Sequence, residues 1–243
     1  MNLQDKVALV TGSGVRLGQA IAQKLGQLGM RVVIHYHHSE EGAKQTFKLL
    51  PGEGSRHLIL KADLKDISQI KELVQKAEER SGPISVLINN AADFFPTPFF
   101  STSEEDWNHL FELNLKAPFF LTQTIAKGMQ KRKEGKIINM VDVSSDRPWT
   151  GFLPYCISKA GLSSLTIGLA RLLAPEIQVN AIAPGTILVP PDHSEMDLKE
   201  SIERSLLKRI GLAEDIEGAI VYLLNSDFVT GTILPVDGGR SVY

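Results

Sequence analysis

The chain has 243 residues, of which 43% are hydrophobic and 22% are charged, and its formal net charge is -2. These values are typical of one soluble globular domain and exclude an overall attraction to nucleic acid or to an anionic membrane. The single cysteine, Cys156, excludes an intramolecular disulfide. We find neither a signal peptide nor an apolar run approaching the roughly 20 residues of a membrane span, so we expect a cytoplasmic protein.

Short β-branched apolar runs alternate along the chain with longer stretches of helical periodicity. This alternation predicts one α/β domain over residues 1–243, with a Rossmann-like, doubly wound, seven-stranded and mostly parallel sheet flanked by helices. The predicted strands cover residues 7–10, 31–36, 57–61, 86–89, 136–141, 178–182 and 232–236. The predicted helices cover residues 17–28, 40–50, 67–80, 104–132, 155–173 and 214–224.

The segment from Pro184 to about Lys199 departs from this alternation. It contains the pair Pro190-Pro191, acidic residues and a histidine, a composition that favours a loop over a regular element. We therefore expect a substrate loop or lid at about residues 185–210, interrupting the last αβ unit of the domain.

A glycine-rich segment, with Gly12, Gly14 and Gly18, follows the first predicted strand directly and leads into an amphipathic helix. A strand, a tight glycine turn and a helix N-terminus together form a cradle of backbone N–H groups for a pyrophosphate. This context makes the glycines more specific than the same spacing alone, and it predicts a dinucleotide site. The alternative is a plain βα turn that binds nothing.

The end of the second predicted strand bears on the choice of dinucleotide, because an acidic residue there commonly binds the ribose hydroxyls of NAD. Here the strand ends in five residues without a carboxylate: His35, Tyr36, His37, His38 and Ser39. The histidines, Ser39 and Arg16 can donate hydrogen bonds to a 2′-phosphate, which a carboxylate would repel, so the sequence favours NADPH. As alternatives, the histidines could be solvated loop residues or metal ligands; no distant cysteine or carboxylate cluster completes a metal site, and we expect none.

Tyr155 and Lys159 lie four positions apart near the start of the helix after the fifth predicted strand. Residues at this spacing share one helix face, so we expect the ammonium group to lie near the phenol and to bring its pKa towards neutrality. A phenol with such a pKa can exchange protons with a substrate. The pair therefore predicts a proton-transfer site beside the dinucleotide.

Over nearly its whole length the chain resembles the short-chain dehydrogenase/reductase family. The motifs that carry the resemblance occur in the family's order: the glycine turn, Asp63-Leu64, Asn89-Asn90-Ala91, Asn114, Tyr155 with Lys159, Pro184-Gly185 and Val236-Asp237-Gly238-Gly239. The resemblance implies adenine contacts from Asp63 and Leu64, a proton-relay role for Asn114, and a second role for Lys159 in binding the nicotinamide ribose. It also implies a homotetramer built through the helices at 104–132 and 155–173.

Further cofactor contacts are implied at motif positions of the glycine turn and of the later loops. These positions are Gly12, Leu17, Gly18, Asn90, Ala91, Pro184 and Gly185.

Two departures from the common family pattern narrow the resemblance. Arg16 stands where the turn usually carries glycine, and Asp142 stands thirteen residues before Tyr155, where the catalytic serine usually lies. Both substitutions occur together in pteridine reductases, and the segments at 35–39, 90–98 and 139–142 are also similar to that subfamily. The resemblance to this subfamily implies that Arg16 contacts phosphate and pterin, that Phe94 sandwiches the pterin against the nicotinamide, and that Leu188 lies at the substrate.

The chemistry of Asp142 agrees with this subfamily, because reduction of a pterin C=N bond places protons on ring nitrogens and benefits from an acid that can reload. We expect Tyr155 and Asp142 to supply those protons. Two alternatives remain open: Asp142 could cap a helix while Ser144 or Ser145 is the serine donor, and Phe94 could simply pack within its loop. His38 stands where the subfamily often has arginine, and Val189 where many members have a threonine.

The sequence thus predicts an NADPH-dependent pteridine reductase that acts on a pterin or a dihydrofolate, with no nucleic-acid or membrane partner. The first alternative is an NADPH-dependent carbonyl reductase that acts on a 3-oxoacyl thioester or a sugar, because the same fold serves many substrates. The second alternative is a non-catalytic NADPH-binding sensor whose active-site residues are relics.

Overall fold

The computed structural model describes residues 1–52, 56–188 and 195–242. In that part of the chain, seven parallel strands form one sheet in the order β3-β2-β1-β4-β5-β6-β7. The strands are β1 (Val7–Val10), β2 (Arg31–Tyr36), β3 (Leu58–Lys61), β4 (Ile84–Asn89), β5 (Gly135–Met140), β6 (Ile177–Pro184) and β7 (Ile233–Val236). The predicted fold class is therefore confirmed.

Helices cover both faces of the sheet because side chains alternate between the faces along each strand. In β1, Val7 and Leu9 join one buried cluster, whereas Ala8 and Val10 join the other. The first cluster packs against α3 (Ile67–Ser81), α5 (Ala117–Arg132) and α6 (Leu153–Leu173). The second packs against α1 (Arg16–Gln27), α2 (Glu40–Leu49) and α8 (Ala213–Asn225). The strand order reverses between β1 and β4, and in such sheets this is where ligands bind, outside the carboxyl ends of the strands.

The helix predicted at 104–132 is interrupted. It consists of α4 (Glu104–Phe111), a π-helical turn (Glu112–Lys116) and α5. Ser103 and Asp106 form a capping box that begins α4, and Lys133 ends α5 in the left-handed conformation, with a φ of 56°. Isolated π turns of this kind are frequent at functional sites.

The predicted lid contains a helix that its composition did not indicate, α7 (Glu195–Glu203). The prediction of a loop at 184–199 is therefore wrong for the residues of α7. Val189 and the pair Pro190-Pro191 lie outside the described residues, and so does Tyr243 at the end of the chain.

Helix α6 contradicts the expectation that no apolar run approaches the length of a membrane span. It has 21 residues and is apolar enough to cross a bilayer by length and composition alone. Yet Leu162, Leu169 and Leu173 are buried inside the protein, and α6 also buries the polar side chain of Lys159. These contacts make α6 a core helix of the sheet's flanking layer.

Candidate active site

The glycine turn follows β1 and is held in place by side chains from neighbouring strands. The hydroxyl oxygen of Thr11 accepts hydrogen bonds from the backbone N–H groups of Asn90 and Ala91, each at 2.9 Å. The side-chain amide of Asn90 donates in return to the carbonyl of Thr11 at 2.8 Å. Gly12 has a φ of 63°, and a Cβ on Gly18 would lie 2.2 Å from the carbonyl oxygen of Gly12. Both positions therefore require glycine.

His35 holds this turn in place through hydrogen bonds to the backbone, whereas the sequence predicted that it donates to a cofactor phosphate. Its Nδ1 accepts a hydrogen bond from the backbone N–H of Gly12 at 3.1 Å, and its Nε2 contacts the carbonyl of Ala62 at 3.1 Å. Burial lowers the pKa of His35 to about 4, so the ring is neutral at physiological pH. Because both ring nitrogens are engaged by the backbone, the expectation that His35 donates to a phosphate is corrected.

Tyr36 is a second correction to the predicted cofactor set. It is partly buried and packs against the apolar cluster that also contains Ile34, two residues earlier on the same face of β2. Its side chain does not line the groove that borders the glycine turn, and among the described residues its packing is that of a core aromatic.

A groove of about 360 Å³ runs along the carboxyl ends of β1, β2, β3 and β4. Its walls come from the glycine turn, the end of β2 and the loops after β3 and β4. The predicted cofactor residues among them are Gly12, Arg16, Leu17, Gly18, His35, His37, His38, Ser39, Asp63, Leu64, Asn90 and Ala91. The groove has the position, the backbone donors and the glycines that a dinucleotide requires, so the residues present fit that cofactor.

Pro184 and Gly185 lie at the other end of the site, where β6 ends. The backbone N–H of Gly185 donates to the carbonyl of Val236 at 3.0 Å, and a Cβ on Gly185 would lie 2.8 Å from Cα of Asp237. The close approach explains a glycine here through packing against the chain after β7. A cofactor contact at these two residues stays a prediction.

Basic side chains gather where β2 ends. The rings of His37 and His38 lie 3.7 Å apart between centroids, and Lys65 lines the groove beside them. Desolvation, with further contributions from His38 and two lysines, lowers the pKa of His37, whereas Asp63 raises it. Glu40, the first carboxylate after the strand, is paired with Lys44 at 2.9 Å. This end of the groove therefore carries several basic groups beside the Asp63 carboxylate.

Tyr155 and Asp142 meet at the centre of the site. The hydroxyl of Tyr155 donates to Oδ2 of Asp142 at 3.0 Å. Burial, together with the Asp142 carboxylate, raises the pKa of Tyr155 well above its usual value. The expectation that Lys159 brings this pKa towards neutrality is therefore wrong for the structure as it stands, and Tyr155 is a neutral proton donor.

Lys159 lies beneath Tyr155 rather than beside its hydroxyl. Its Nζ donates to the carbonyl of Met140 at 2.8 Å and lies 5.8 Å from the centroid of the Tyr155 ring. Burial lowers the pKa of Lys159 to about 8. The ammonium form therefore predominates at neutral pH but is lost in mildly alkaline solution.

Asp142 also caps a helical turn, which is the alternative role that its sequence position allows. Its Oδ1 accepts from the backbone N–H of Ser144 at 2.8 Å and begins the short 3₁₀ turn Val143–Ser145. Ser145 donates its hydroxyl to the carbonyl of Asp142 at 2.6 Å, and the buried hydroxyl of Ser144 has no partner among the described residues. One carboxylate thus caps the turn with one oxygen and holds Tyr155 with the other.

Asn114 lies in the π turn and is fully buried. Its Oδ1 accepts from the backbone N–H of Asp93 at 3.0 Å, and its Nδ2 donates to the carbonyl of Asp93 at 3.0 Å and to Ser158 at 3.2 Å. Asn114 therefore fixes the loop after β4 against α6. A proton-relay role for it stays a prediction.

Phe94 follows in this loop and forms an aromatic wall with Trp149 and Phe152. Its ring stacks on Phe152 at 4.5 Å between centroids and meets the ring of Tyr155 edge-on at 4.7 Å. Even so, half of Phe94 (51%) is exposed. Loop packing, the open alternative, is thus present, but an exposed aromatic face beside the Tyr155 ring is also a platform for a flat ligand.

Arg16 has a φ of 50° in place of a glycine, and its guanidinium donates to the carbonyl of Leu188, whose φ is also 50°. This hydrogen bond joins the glycine turn to the residue that precedes 189–194. Leu188 contributes its carbonyl to this contact, and a substrate contact of its side chain stays a prediction.

With the geometry established, comparison with known proteins identifies the family. The family model described as short chain dehydrogenase matches residues 6–198. The chain belongs to the short-chain dehydrogenase family. It is 36% identical, over 98% of this chain and 96% of the relative, to 2-dehydro-3-deoxy-D-gluconate 5-dehydrogenase of Dickeya dadantii. It is 33% identical, over 100% of this chain and 96% of the relative, to 3beta-hydroxysteroid dehydrogenase 1 of Eggerthella lenta.

The solved structures agree with the sequence comparisons. The crystal structure of a candidate short-chain alcohol dehydrogenase from Sinorhizobium meliloti 1021 superposes with a TM-score of 0.93 at 31% identity, covering 99% of this chain and 98% of that one. This short-chain dehydrogenase is accordingly an oxidoreductase that uses a nicotinamide cofactor.

Several residues that shape the site of this short-chain dehydrogenase escaped the sequence analysis. Thr11 was not among the predicted site residues, although a threonine directly after a buried strand can fix the neighbouring backbone through its hydroxyl. Lys65 and His109 both line the groove, and His109 contacts the carboxylate of Asp93 at 2.5 Å. Arg240, near the C-terminus, lines a cavity next to Trp149, and nothing in the sequence around Arg240 indicated that position. In the described part of the chain, no group of three or more metal-binding side chains comes together.

Proposed function

We propose that this short-chain dehydrogenase is an NADPH-dependent reductase of a pterin or dihydrofolate C=N bond. The observation that carries the proposal is the hydrogen bond between Tyr155 and the Asp142 carboxylate, beside the exposed ring of Phe94. A carbonyl reductase benefits from a neutral donor at the position of Asp142, whereas protonation of a ring nitrogen benefits from a second acid–base group. An exposed aromatic face next to that group suits a flat heterocycle.

The preference for NADPH is part of the proposal and has its own support. His37, His38 and Lys65 surround the place where β2 ends, and the nearby Glu40 is neutralised by Lys44. A 2′-phosphate placed there would gain charge-assisted hydrogen bonds. NAD would gain little, because no free carboxylate directly follows β2 to accept from its ribose.

In the proposed mechanism the cofactor, when bound in the groove, supplies the hydride. The hydroxyl of Tyr155 delivers its proton to the ring nitrogen of the substrate, so that the C=N bond becomes a CH–NH bond. The resulting phenolate lies near the buried ammonium of Lys159, 5.8 Å from the centroid of the ring, although in the resting site burial and Asp142 outweigh this charge and keep Tyr155 protonated. Asp142, which is only partly buried, carries a proton from solvent back to Tyr155 and completes the cycle.

Assembly and location stay predictions. A homotetramer built through α4, α5 and α6 would cover their exposed apolar side chains, among them Phe119 and Ile167. We retain the cytoplasmic location and the absence of nucleic-acid and membrane partners as part of the proposal.

The experiment that tests the proposed function compares substrates side by side. Oxidation of NADPH is followed by absorbance with dihydrobiopterin, dihydrofolate, a 3-oxoacyl thioester and a sugar lactone or ketose. Turnover of the pterins, with little turnover of the carbonyl compounds, is the expected result. Turnover of carbonyl compounds alone would replace the proposal.

The carbonyl reductase is the second candidate, and one specific observation favours it. A relative that matches this chain at 36% identity is named as a sugar-acid dehydrogenase, 2-dehydro-3-deoxy-D-gluconate 5-dehydrogenase. The two candidates make opposite use of Asp142. A carbonyl reductase should tolerate or even gain from Asp142→Ser, because serine restores a neutral donor, whereas a pterin reductase should lose activity.

A further inference from the structure

A cavity with a cationic lining adjoins the aromatic wall at Trp149. Its volume is about 230 Å³, and its lining contains three arginines, Arg147, Arg204 and Arg240. They come from three separate segments: the loop after β5, the end of α7 and the residues after β7. Arg204 forms an ion pair with Glu200, but Glu200 does not line the cavity and no carboxylate is among the lining residues, so the wall of the cavity is cationic.

Arg240 is the innermost of the three. Its guanidinium lies over the ring of Trp149 at 5.1 Å and donates to the hydroxyl of Thr186. Desolvation and the nearby charge of Arg204 lower its pKa, whereas Asp142, Glu200 and Asp237 raise it. In the described part of the chain no carboxylate lies at ion-pair distance from Arg240, and its countercharges, Asp142, Glu200 and Asp237, act on this partly buried cation only from farther away.

The cavity shares Trp149 with the aromatic wall beside the proposed substrate position. Trp149 borders the cavity and packs edge-on against Phe94 at 6.0 Å, and Phe94 in turn meets Tyr155. The order outwards from the reacting hydroxyl is therefore an exposed aromatic face, a second aromatic ring and then a cluster of cations. A ligand that matches this order has a flat ring near Tyr155 and an anionic group at its far end.

We propose that Arg240, with Arg147 and Arg204, binds an anionic substituent of the substrate and thereby selects acidic substrates over uncharged ones. The guanidinium groups suit a carboxylate or a phosphate equally in chemistry. This inference rests on the proposed function for the flat ring, but the charge selection is a property of the cavity itself. Arg240 is the specificity-determining residue, because its guanidinium lies over the Trp149 ring and is close enough to Asp142 for that charge to raise its pKa.

The test measures steady-state kinetics with three pterins that differ in side-chain charge. Dihydrofolate carries glutamate carboxylates, dihydroneopterin monophosphate carries a phosphate, and dihydrobiopterin carries no charge. In Arg240→Gln we expect KM to rise about 10-fold for an anionic pterin, with kcat and the KM of dihydrobiopterin within about twofold of wild type. If KM rises for dihydrofolate alone, the subsite binds carboxylates; if KM rises for dihydroneopterin monophosphate alone, it binds phosphates.

Controls separate charge recognition from a structural role. Arg240→Lys should recover part of the affinity for the anionic pterin, and Arg171→Gln makes the same exchange at an exposed arginine near the end of α6. Raising the ionic strength should raise KM for the anionic pterin in wild type but not in Arg240→Gln. If Arg240→Gln raised KM equally for charged and uncharged pterins, or changed KM for neither, the inference would be overturned.

Failure of the proposed function would show separately. If wild-type enzyme turned over no pterin but reduced a 3-oxoacyl coenzyme A, the same variants would be compared on that phosphate-bearing thioester and on its uncharged N-acetylcysteamine analogue. A KM increase for the coenzyme A thioester alone would retain the anionic subsite without the pterin. If KM changed equally for the two thioesters, the anionic subsite would be overturned together with the pterin function.

Discussion

Replacing Asp142 by asparagine removes one charge and leaves the shape of the side chain unchanged. The amide oxygen of asparagine can still accept from the N–H of Ser144, so the 3₁₀ turn keeps its cap. With that oxygen engaged, the amide Nδ2 faces Tyr155. The charged hydrogen bond, 3.0 Å long, is therefore replaced by a neutral one in which the amide donates to the hydroxyl oxygen of Tyr155, and the exchange costs about 1 kcal/mol of folding free energy. Because Asp142 raises the pKa of Tyr155, the substitution also lowers that pKa.

The loss of activity should be much larger than the loss of stability. A positioned acid–base group contributes about 10²–10⁴-fold to the rate, so we expect kcat for dihydrobiopterin to fall at least about 100-fold, or about 2.7 kcal/mol of activation free energy. The dissociation constant of NADPH should change less than about twofold, since Asp142 does not line the dinucleotide groove.

The measurement combines NADPH oxidation, NADPH binding by fluorescence and urea unfolding on the same preparation. Asp146→Asn is the matched control, because Asp146 is an exposed carboxylate four residues later in the same loop. Full pterin turnover by Asp142→Asn, with the control also unaffected, would refute the acid–base role of Asp142 and with it the main support for the pterin substrate.

Lys159 should give the pH profile of kcat/KM a descending limb: its pKa is lowered to about 8, so the stabilising ammonium is present below that pH and is lost above it. A profile that stays flat to pH 10 would contradict this assignment. The pKa of His37 lies below its usual value in the free protein, so the imidazole should take up a proton when a 2′-phosphate binds beside it. Binding titrations between pH 5.5 and 8 should therefore show that the affinity for NADPH rises as the pH falls, whereas the affinity for NADH stays constant. Thr11→Val should lower the free energy of unfolding by about 2 kcal/mol in urea, because two partly buried backbone N–H groups lose their acceptor, whereas Thr11→Ser should cost under about 1 kcal/mol.

The strands were the part of the fold that the sequence specified best. The predicted bounds of β1 and β2 coincide with the observed ones, because short runs rich in buried apolar residues end at the glycine turn and at the polar residues after Tyr36. Helix α7 was missed because its charged residues show little apolar periodicity, and the interruption at Glu112–Lys116 was missed because a π turn has no distinct composition.

Within the site, residue types were predicted better than their environments. The spacing of Tyr155 and Lys159 placed both on one helix face, but it did not show that Lys159 donates to the carbonyl of Met140, nor that burial governs both pKa values. Similarly, the histidine-rich end of β2 was read as one group, although strand alternation separates Tyr36 from the groove. Burial and long-range contacts such as that of Arg240 depend on elements far apart in the sequence.

The π turn that holds Asn114 has a consequence for how this site tolerates changes in chain length. The turn accommodates its residues by widening the helix between α4 and α5. Deleting Leu113 would allow one uninterrupted α-helix, and since each α-helical residue rotates the chain by about 100°, the amide of Asn114 would turn away from Asp93 and Ser158. The orientation of this amide is thus encoded in the number of residues between two helices, and a scan of single deletions would reveal a dependence that no scan of substitutions can detect.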